Sequence, residues 1–326
     1  MKKGKGFFPS EIIFSVTENC NLKCSHCYVS RKNNTLDSEK CLKFLETCTP
    51  QIEKIGFTGG EPFLNLDFIL KITEFAVKKD FLFDRIMTNG IWWNDESELL
   101  KKLSILYDSG YDGKICLSYD SFHNQNLQKT VQFIKTVLKI FGKTSLEIQS
   151  VVKFSEKNKK IKKTSLFPLL QELSELLSCK QKIIFQKKST ALLKIVKENI
   201  FENDYFEIPV FIFPQSLESK NPESFKSRKW FKEDFCEGPG NILYVHSDGS
   251  IAPCCGFSNE NSQLFIGTIN DSFSKILENA KENKMISLCF TDGLSSKIKK
   301  IGIKKGKTDD ICTFCDFICN SNKFLE

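Results

Sequence analysis

From residue 11 to residue 186 the chain alternates short apolar runs with longer amphipathic ones. The short runs "EIIFSVT" (11–17), "KIGFTG" (54–59), "FDRIMT" (83–88), "KICLSY" (114–119), "SLEIQSVV" (145–152) and "KIIFQ" (182–186) read as strands. Between them, near 36–48, 66–79, 95–107, 125–141 and 165–178, apolar residues recur every three or four positions, as in "NLQKTVQFIKTVLKIF". Strand–helix repetition demands parallel pairing with right-handed crossovers. Six units predict an α/β fold, a partial (β/α)6 TIM barrel, with its chemistry at the carboxyl ends of the strands.

Composition excludes some classes. The chain has 326 residues, 40% hydrophobic and 27% charged, enough for one large domain or a domain with an appendage. In "MKKGKGFFPSEIIF" the apolar run is broken by Pro9, Ser10 and Glu11 before it reaches signal-peptide length, and no later stretch approaches a membrane span. A cytoplasmic protein with no membrane partner is expected, in which fourteen cysteines serve as metal ligands or redox thiols rather than disulfides. Much of the net charge of +7 lies in "KFSEKNKKIKK", 153–163. That run lacks the interleaved aromatics of a nucleic-acid surface, so no nucleic acid is expected. It reads as a solvated loop whose charge would attract an acidic peptide over long range.

The cysteines are clustered. Cys41, Cys48, Cys116 and Cys179 stand alone in apolar or helical surroundings and read as small buried hydrophobes. Cys20, Cys24 and Cys27 of "CNLKCSHC" follow the first strand. Three thiolates at this spacing can hold three irons of a 4Fe–4S cluster, leaving the fourth open to a cofactor or substrate. The competing reading is a zinc site with His26 as fourth ligand, although the cysteine gaps differ from the usual zinc pairs. The other seven, Cys236, Cys254, Cys255, Cys289, Cys312, Cys315 and Cys319, fall in the last third.

The triad's spacing resembles the signature of the radical S-adenosylmethionine (SAM) enzymes. The resemblance implies that SAM chelates the open iron and is split reductively by an electron from an outside donor such as a flavodoxin or ferredoxin. "TGGEP", 58–62, after the second strand, resembles the family's methionine-binding turn. By that likeness Gly59 and Gly60 allow close backbone approach and Glu61 accepts from the SAM ammonium. "TNG" (88–90) and "SYD" (118–120) end the third and fourth strands, so Asn89 and Ser118 resemble SAM contacts, with Gln149 on the fifth strand and His26 as further candidates.

The last third resembles the family's SPASM or Twitch appendage. "YVHSDGSIAPCC", 244–255, reads as a hairpin turning at Asp-Gly. Gly249 stands five residues before Cys254, the glycine-to-cysteine spacing of SPASM domains. The likeness implies an auxiliary cluster on Cys236, Cys254, Cys312 and Cys315, hence two [4Fe–4S] clusters in all. "CTFCDFIC" departs from the two-cluster pattern, leaving Cys289 and Cys319 as buried thiols, and the spacing leaves a structural zinc open as an alternative. The expected domains are the barrel at 1–190, a bridge at 191–235 containing "FEIPVFIFP", and the cysteine-rich domain at 236–326.

Over nearly the whole chain the sequence also resembles radical SAM peptide epimerases of the EpeE kind. It rests on "SYDSFH" (118–123), the adjacent cysteines after "SDGSIAP", and the cysteine pair near the C-terminus. The implied reaction converts L- to D-residues in a ribosomally made precursor peptide (a RiPP) by removing the α-hydrogen and returning one from the opposite face. Cys255 is the expected hydrogen donor, and Asp120 and His123 are expected substrate contacts. A thioether-forming (sactipeptide-type) maturase and a non-catalytic iron–sulfur electron-transfer protein are the alternatives. With the first strand starting near residue 11, no leader-binding domain is expected ahead of the barrel, so the peptide would be recognised by the mouth, by 190–235 or by another protein.

Overall fold

Along "LEIQSVV" the buried residues Leu146, Ile148, Ser150 and Val152 alternate with half-buried Glu147, Gln149 and Val151. That period of two makes the segment a strand with one face on the core. In a computed structural model that describes residues 4–187, 190–197, 205–232, 235–236, 240–298 and 305–321, such segments recur in chain order. They are β1 (Glu11–Ser15), β2 (Lys54–Thr58), β3 (Leu82–Thr88), β4 (Lys114–Ser118), β5 (Leu146–Val152), β6 (Lys180–Lys187), β7 (Thr190–Lys197), β8 (Phe206–Pro214), β9 (Gly240–Val245), β10 (Ser250–Cys254) and β11 (Gly267–Thr268). The longer helices are α1 (Ser38–Cys48), α2 (Leu66–Lys78), α3 (Glu96–Asp108), α4 (Leu127–Phe141), α5 (Leu166–Leu176) and α6 (Phe273–Glu282). None among the described residues is long and apolar enough to cross a membrane.

The chain divides into two units, each discontinuous in sequence. One comprises Val16–Thr35 and Gly56–Gln215. Its strands follow the order β2–β3–β4–β5–β8–β7–β6, and the pairs β3–β4, β4–β5 and β5–β8 are parallel. The helices between them bury one stripe each. α4 is capped by Asn126, whose side chain accepts from Lys129 N, and it ends at Gly142 with φ +94°. It sinks Val131, Phe133, Ile134 and Val137, worth about 1.5–3 kcal/mol apiece.

The sixth parallel strand is not the expected one. "KIIFQ" lies in β6, which pairs antiparallel with β7, itself antiparallel to β8. The parallel neighbour of β5 is instead β8, the "FEIPVFIFP" expected to be a bridge. Burial explains the exchange. β8 sinks Phe206, Ile208, Val210 and Ile212, as an internal strand must, whereas β6 carries exposed Lys180, Lys182, Ile184 and Phe185 and can only be an edge.

The other unit comprises Met1–Ser15, Leu36–Ile55 and Ser216–Glu326. Here β1 pairs parallel with β9, setting Ile12 against Leu243 and Phe14 against Val245, all four fully buried. β9 and β10 form the expected hairpin; Gly249 turns it at φ +88°, and Asp248 Oδ1 accepts from Ser250 N at 3.0 Å. α1 buries Cys41, Phe44, Leu45 and Cys48. A last helix, Ile311–Cys319, is capped by Asp310. Of the four isolated cysteines, Cys41, Cys48 and Cys116 are buried as expected, while Cys179 is half-buried.

Candidate functional site

The loop after β1 is closed at its base by Thr17 and Thr35, whose hydroxyls meet at 2.8 Å. Glu18 organises the return of this loop, accepting from Ser30 Oγ at 2.6 Å, Lys32 N at 2.8 Å and Asn34 N at 3.1 Å. Burial works against its charge, but these bonds outweigh that and hold its carboxyl below the usual range. Sequence reasoning missed Glu18, since a glutamate three residues past a strand carries no signal.

Cys20, Cys24 and Cys27 stand on this loop. Cys24 is pushed up to about 11 by burial first and then by the charges of Cys20 and Cys27, so the three thiols converge closely enough to feel one another. Leu22 N at 3.4 Å and Asn89 Nδ2 at 3.7 Å point at Cys20 Sγ, donors that favour a thiolate. Among the described residues no three cysteine sulfurs lie within 4.8 Å of one another. One tetrahedral zinc would hold its sulfurs about 3.8 Å apart. A cluster that spreads thiolates over separate irons suits the set better.

His26 is drawn elsewhere. Its ring lies 4.4 Å from Phe122 and 5.1 Å from His123, and burial lowers its pKa, which favours neutral imidazole. Its Nδ1 is buried without a hydrogen-bond partner, a polar atom that a bound cofactor could satisfy.

The turn after β2 docks on the same loop. A Cβ on Gly59, whose φ is +141°, would lie 2.6 Å from Thr17 O, and one on Gly60 would lie 2.4 Å from Asn19 O. Only glycine allows the approach, which Gly60 N and Glu61 N fix by donating to Thr17 O and Asn19 O. Glu61 is fully buried and accepts from Thr88 Oγ1 and Asn89 N, each at 2.8 Å, and from Phe63 N at 3.2 Å. The expected cofactor acceptor thus already ties the turn to the end of β3. Asn89 joins in through Nδ2, which donates to Asn21 Oδ1 at 2.8 Å.

Ser118 and Gln149 lie opposite each other across β4 and β5. Gln125, which no sequence signal marked, donates from Nε2 to both Asn89 O and Ser118 O at 2.6 Å. Asp120 is buried, and its oxygens are committed: Oδ1 accepts from Phe122 N and meets His123 Nδ1 at 2.8 Å, and Oδ2 accepts from Val151 N. Through that bond Asp120 orients the His123 ring. Burial opposes its charge, but His123 and the other donors hold it below the ordinary carboxylate value.

The second cysteine group belongs to the other unit. Cys254 ends β10 and is 7% exposed, whereas Cys255 beyond it is exposed. Cys236 packs so tightly on Gly240 that a Cβ there would come within 2.6 Å of its Sγ. Cys312 and Cys315 sit at the start of the last helix, where Asp310 accepts from Cys312 N. Burial raises Cys236 to about 12 and raises Cys254 and Cys312; next, Cys236 feels Cys315, Cys254 feels Cys236 and then Cys315, and Cys312 feels Asp310 and then Cys236, Cys254 and Cys315. The four expected ligands are thus gathered. Cys289 and Cys319, expected to be mere buried thiols, both adjoin Cys315, with Cys289 Sγ 4.0 Å from Cys315 Sγ; these contacts hold Cys315 well below the ordinary thiol value. Here too, among the described residues, no three of the sulfurs lie within 4.8 Å of one another.

Family models agree with both groups. One, the radical SAM superfamily, matches residues 14–165, and the other, the SPASM iron–sulfur cluster-binding domain, matches 236–316. The chain carries a radical SAM domain and a SPASM domain. The first binds a 4Fe–4S cluster and SAM, and the second binds further iron–sulfur. YydG of Bacillus subtilis, described as a peptide biosynthesis protein, is 21% identical over 95% of this chain and 92% of its own. MJ0907 of Methanocaldococcus jannaschii is 27% identical over 80% and 88%. The antilisterial bacteriocin subtilosin biosynthesis protein AlbA of Bacillus subtilis is 28% identical over 44% of this chain and 36% of AlbA. A solved structure of native anSMEcpe with bound AdoMet and Cp18Cys peptide shares the radical SAM fold with a TM-score of 0.51 at 18% identity, over 85% of this chain and 83% of that one.

Proposed function

We propose that this protein is a radical SAM peptide epimerase that converts L- to D-residues in a ribosomally made precursor peptide. The likeness to YydG over nearly the whole chain supports a peptide substrate. The observation that carries the finer reading is the division of labour between neighbours: Cys254 is buried among the auxiliary thiols while Cys255 is exposed. When bound at the radical SAM site, cluster and cofactor supply a 5′-deoxyadenosyl radical able to take an α-hydrogen from a residue.

The SAM-binding duty falls to Gly59, Gly60, Glu61, Asn89, Ser118, Gln149 and His26, and the metal to Cys20, Cys24 and Cys27, with Cys236, Cys254, Cys312 and Cys315 for the auxiliary cluster. Asp120 and His123, joined to each other, position the peptide. Cys255 returns a hydrogen atom to the opposite face: its S–H bond breaks as the new Cα–H bond forms. The thiyl left behind regains its hydrogen from one proton and one electron, the latter from a flavodoxin- or ferredoxin-class donor. An exposed thiol exchanges its hydrogen with solvent, so the returned atom carries the solvent isotope. The bound peptide must then shield Cys255 during the transfer.

The match to AlbA favours a second reading, thioether formation, in which Cys255 has no part. Mass spectrometry of a candidate peptide after turnover in deuterated water separates the readings. One added mass unit per D-residue supports epimerisation, a loss of two supports the thioether, and no change leaves an electron-transfer protein.

A further inference from the structure

The charge of this chain is concentrated in one segment. Residues 153–197 hold twelve lysines and three glutamates, a net +9 against +7 for all 326 residues, so the remainder is slightly acidic. Within the first unit this segment supplies the loop after β5 and then the β6–β7 hairpin, which the parallel sheet does not need. Lys153, Lys160, Lys162 and Lys163 are exposed and form no ion pair among the described residues, and Lys180 and Lys182 are exposed on β6.

β6 ends the sheet, with β7 as its sole neighbour among the described residues. An edge strand presents a row of backbone donors and acceptors to any extended chain that arrives. Lysines and the bulge between Ile183 and Phe185 are common protection for such an edge. Protection does not call for two adjacent apolar side chains in solvent, yet Ile184 is 46% and Phe185 56% exposed.

Register ties this edge to the site. Gln149 faces Phe211, Phe211 faces Leu192, and Leu192 faces Phe185, so the edge lies three strands, about 14 Å, from Gln149 on the same row. The alternation of directions makes β6 run as β5 does, and its carboxyl end lies with those of β4 and β5.

We infer that the outer edge of β6 takes up an acidic, extended segment of the precursor peptide as an added strand, with the lysines of 153–182 neutralising its carboxylates. A segment running in the direction of β6 would leave the edge at the end where Ser118 and Gln149 stand, bringing the residues that follow it to the site. This rests on the reading of a peptide substrate.

The test uses the reconstituted full chain and a fluorescein-labelled twelve-residue peptide of alternating Glu and Val, followed by fluorescence anisotropy. The peptide should bind, more weakly as salt rises, and Lys180→Glu with Lys182→Glu should weaken it roughly tenfold at unchanged iron content and circular dichroism. The same peptide N-methylated at every residue keeps its charge but cannot pair as a strand, and it should not bind. Equal binding of the N-methylated peptide, indifference to the lysine changes, or tighter binding of a single-stranded twelve-nucleotide DNA would each overturn the proposal. Its failure is separable from that of the epimerase reading: a protein that makes D-residues yet ignores this peptide sinks only the edge, and one that binds it yet makes no D-residues sinks only the epimerase.

Discussion

His123 Nδ1 and Asp120 Oδ1 meet at 2.8 Å, with the carboxylate buried and the imidazole half-buried. The bond fixes which ring nitrogen faces away from Asp120. Asp120→Asn should therefore keep the fold: with its amide oxygen accepting from Val151 N, its NH2 group faces Phe122 N and His123 Nδ1, which costs about 1–3 kcal/mol for the Phe122 N–H left unpaired and removes the acceptor that orients His123. Peptide binding should weaken in Asp120→Asn and His123→Ala to a similar degree, and the double variant should add little. Additive losses in that cycle, measured by titration calorimetry, would contradict the coupling.

Replacing Cys20, Cys24 and Cys27 together with alanine should abolish reductive SAM cleavage and leave auxiliary iron in place, because the two cysteine groups belong to different units. Iron analysis and chromatography of deoxyadenosine check both halves. Continued deoxyadenosine formation would overturn the assignment of the triad.

Cys254 and Cys255 should part company on substitution. Cys255→Ala should retain its iron, cleave SAM and move deuterium from the peptide α-position into deoxyadenosine, yet yield few D-residues. Cys254→Ala should lose auxiliary iron and stability, since a missing ligand unpins the hairpin. D-residues made at the normal rate by Cys255→Ala would remove it from the mechanism.

Burial pushes Glu61 up to about 7, above its ordinary value of 4.5, although Asn89 N, Thr88 and Phe63 N all donate to it. The folded chain therefore keeps a proton that the unfolded chain gives up. Glu61's contribution is full below about pH 4.5 and is lost as the pH rises through about 7, on the order of 3 kcal/mol at most. Glu61→Gln should flatten the change in stability between pH 5 and pH 8, read by urea unfolding of the apoprotein, where these pH values bracket the titration. An unchanged slope would show that another group titrates there.

Cys289→Ala should leave iron content intact and lower the reduction potential of the auxiliary cluster, because it removes a sulfur-bound hydrogen beside Cys315. Loss of one cluster's worth of iron would instead make Cys289 a ligand. Potentiometric titration followed by electron paramagnetic resonance distinguishes the two.

Features whose partners lie close in the chain were legible beforehand. The gaps among Cys20, Cys24 and Cys27 and the turn at Asp248 and Gly249 are set by a few bonds of covalent geometry, so the sequence by itself determined them. Alternation likewise marked the strands, because a period of two needs no knowledge of the neighbour. What alternation does not encode is direction or rank in the sheet. Only the tertiary structure decided that "FEIPVFIFP" lies beside β5 and "KIIFQ" at the edge, since the choice depends on which segment can be covered on both faces. The same holds where partners are distant in the chain: Gln125 reaching Asn89, Asp120 reaching Val151, and Cys289 reaching Cys315 are contacts of side chains that folding alone brings within bonding distance.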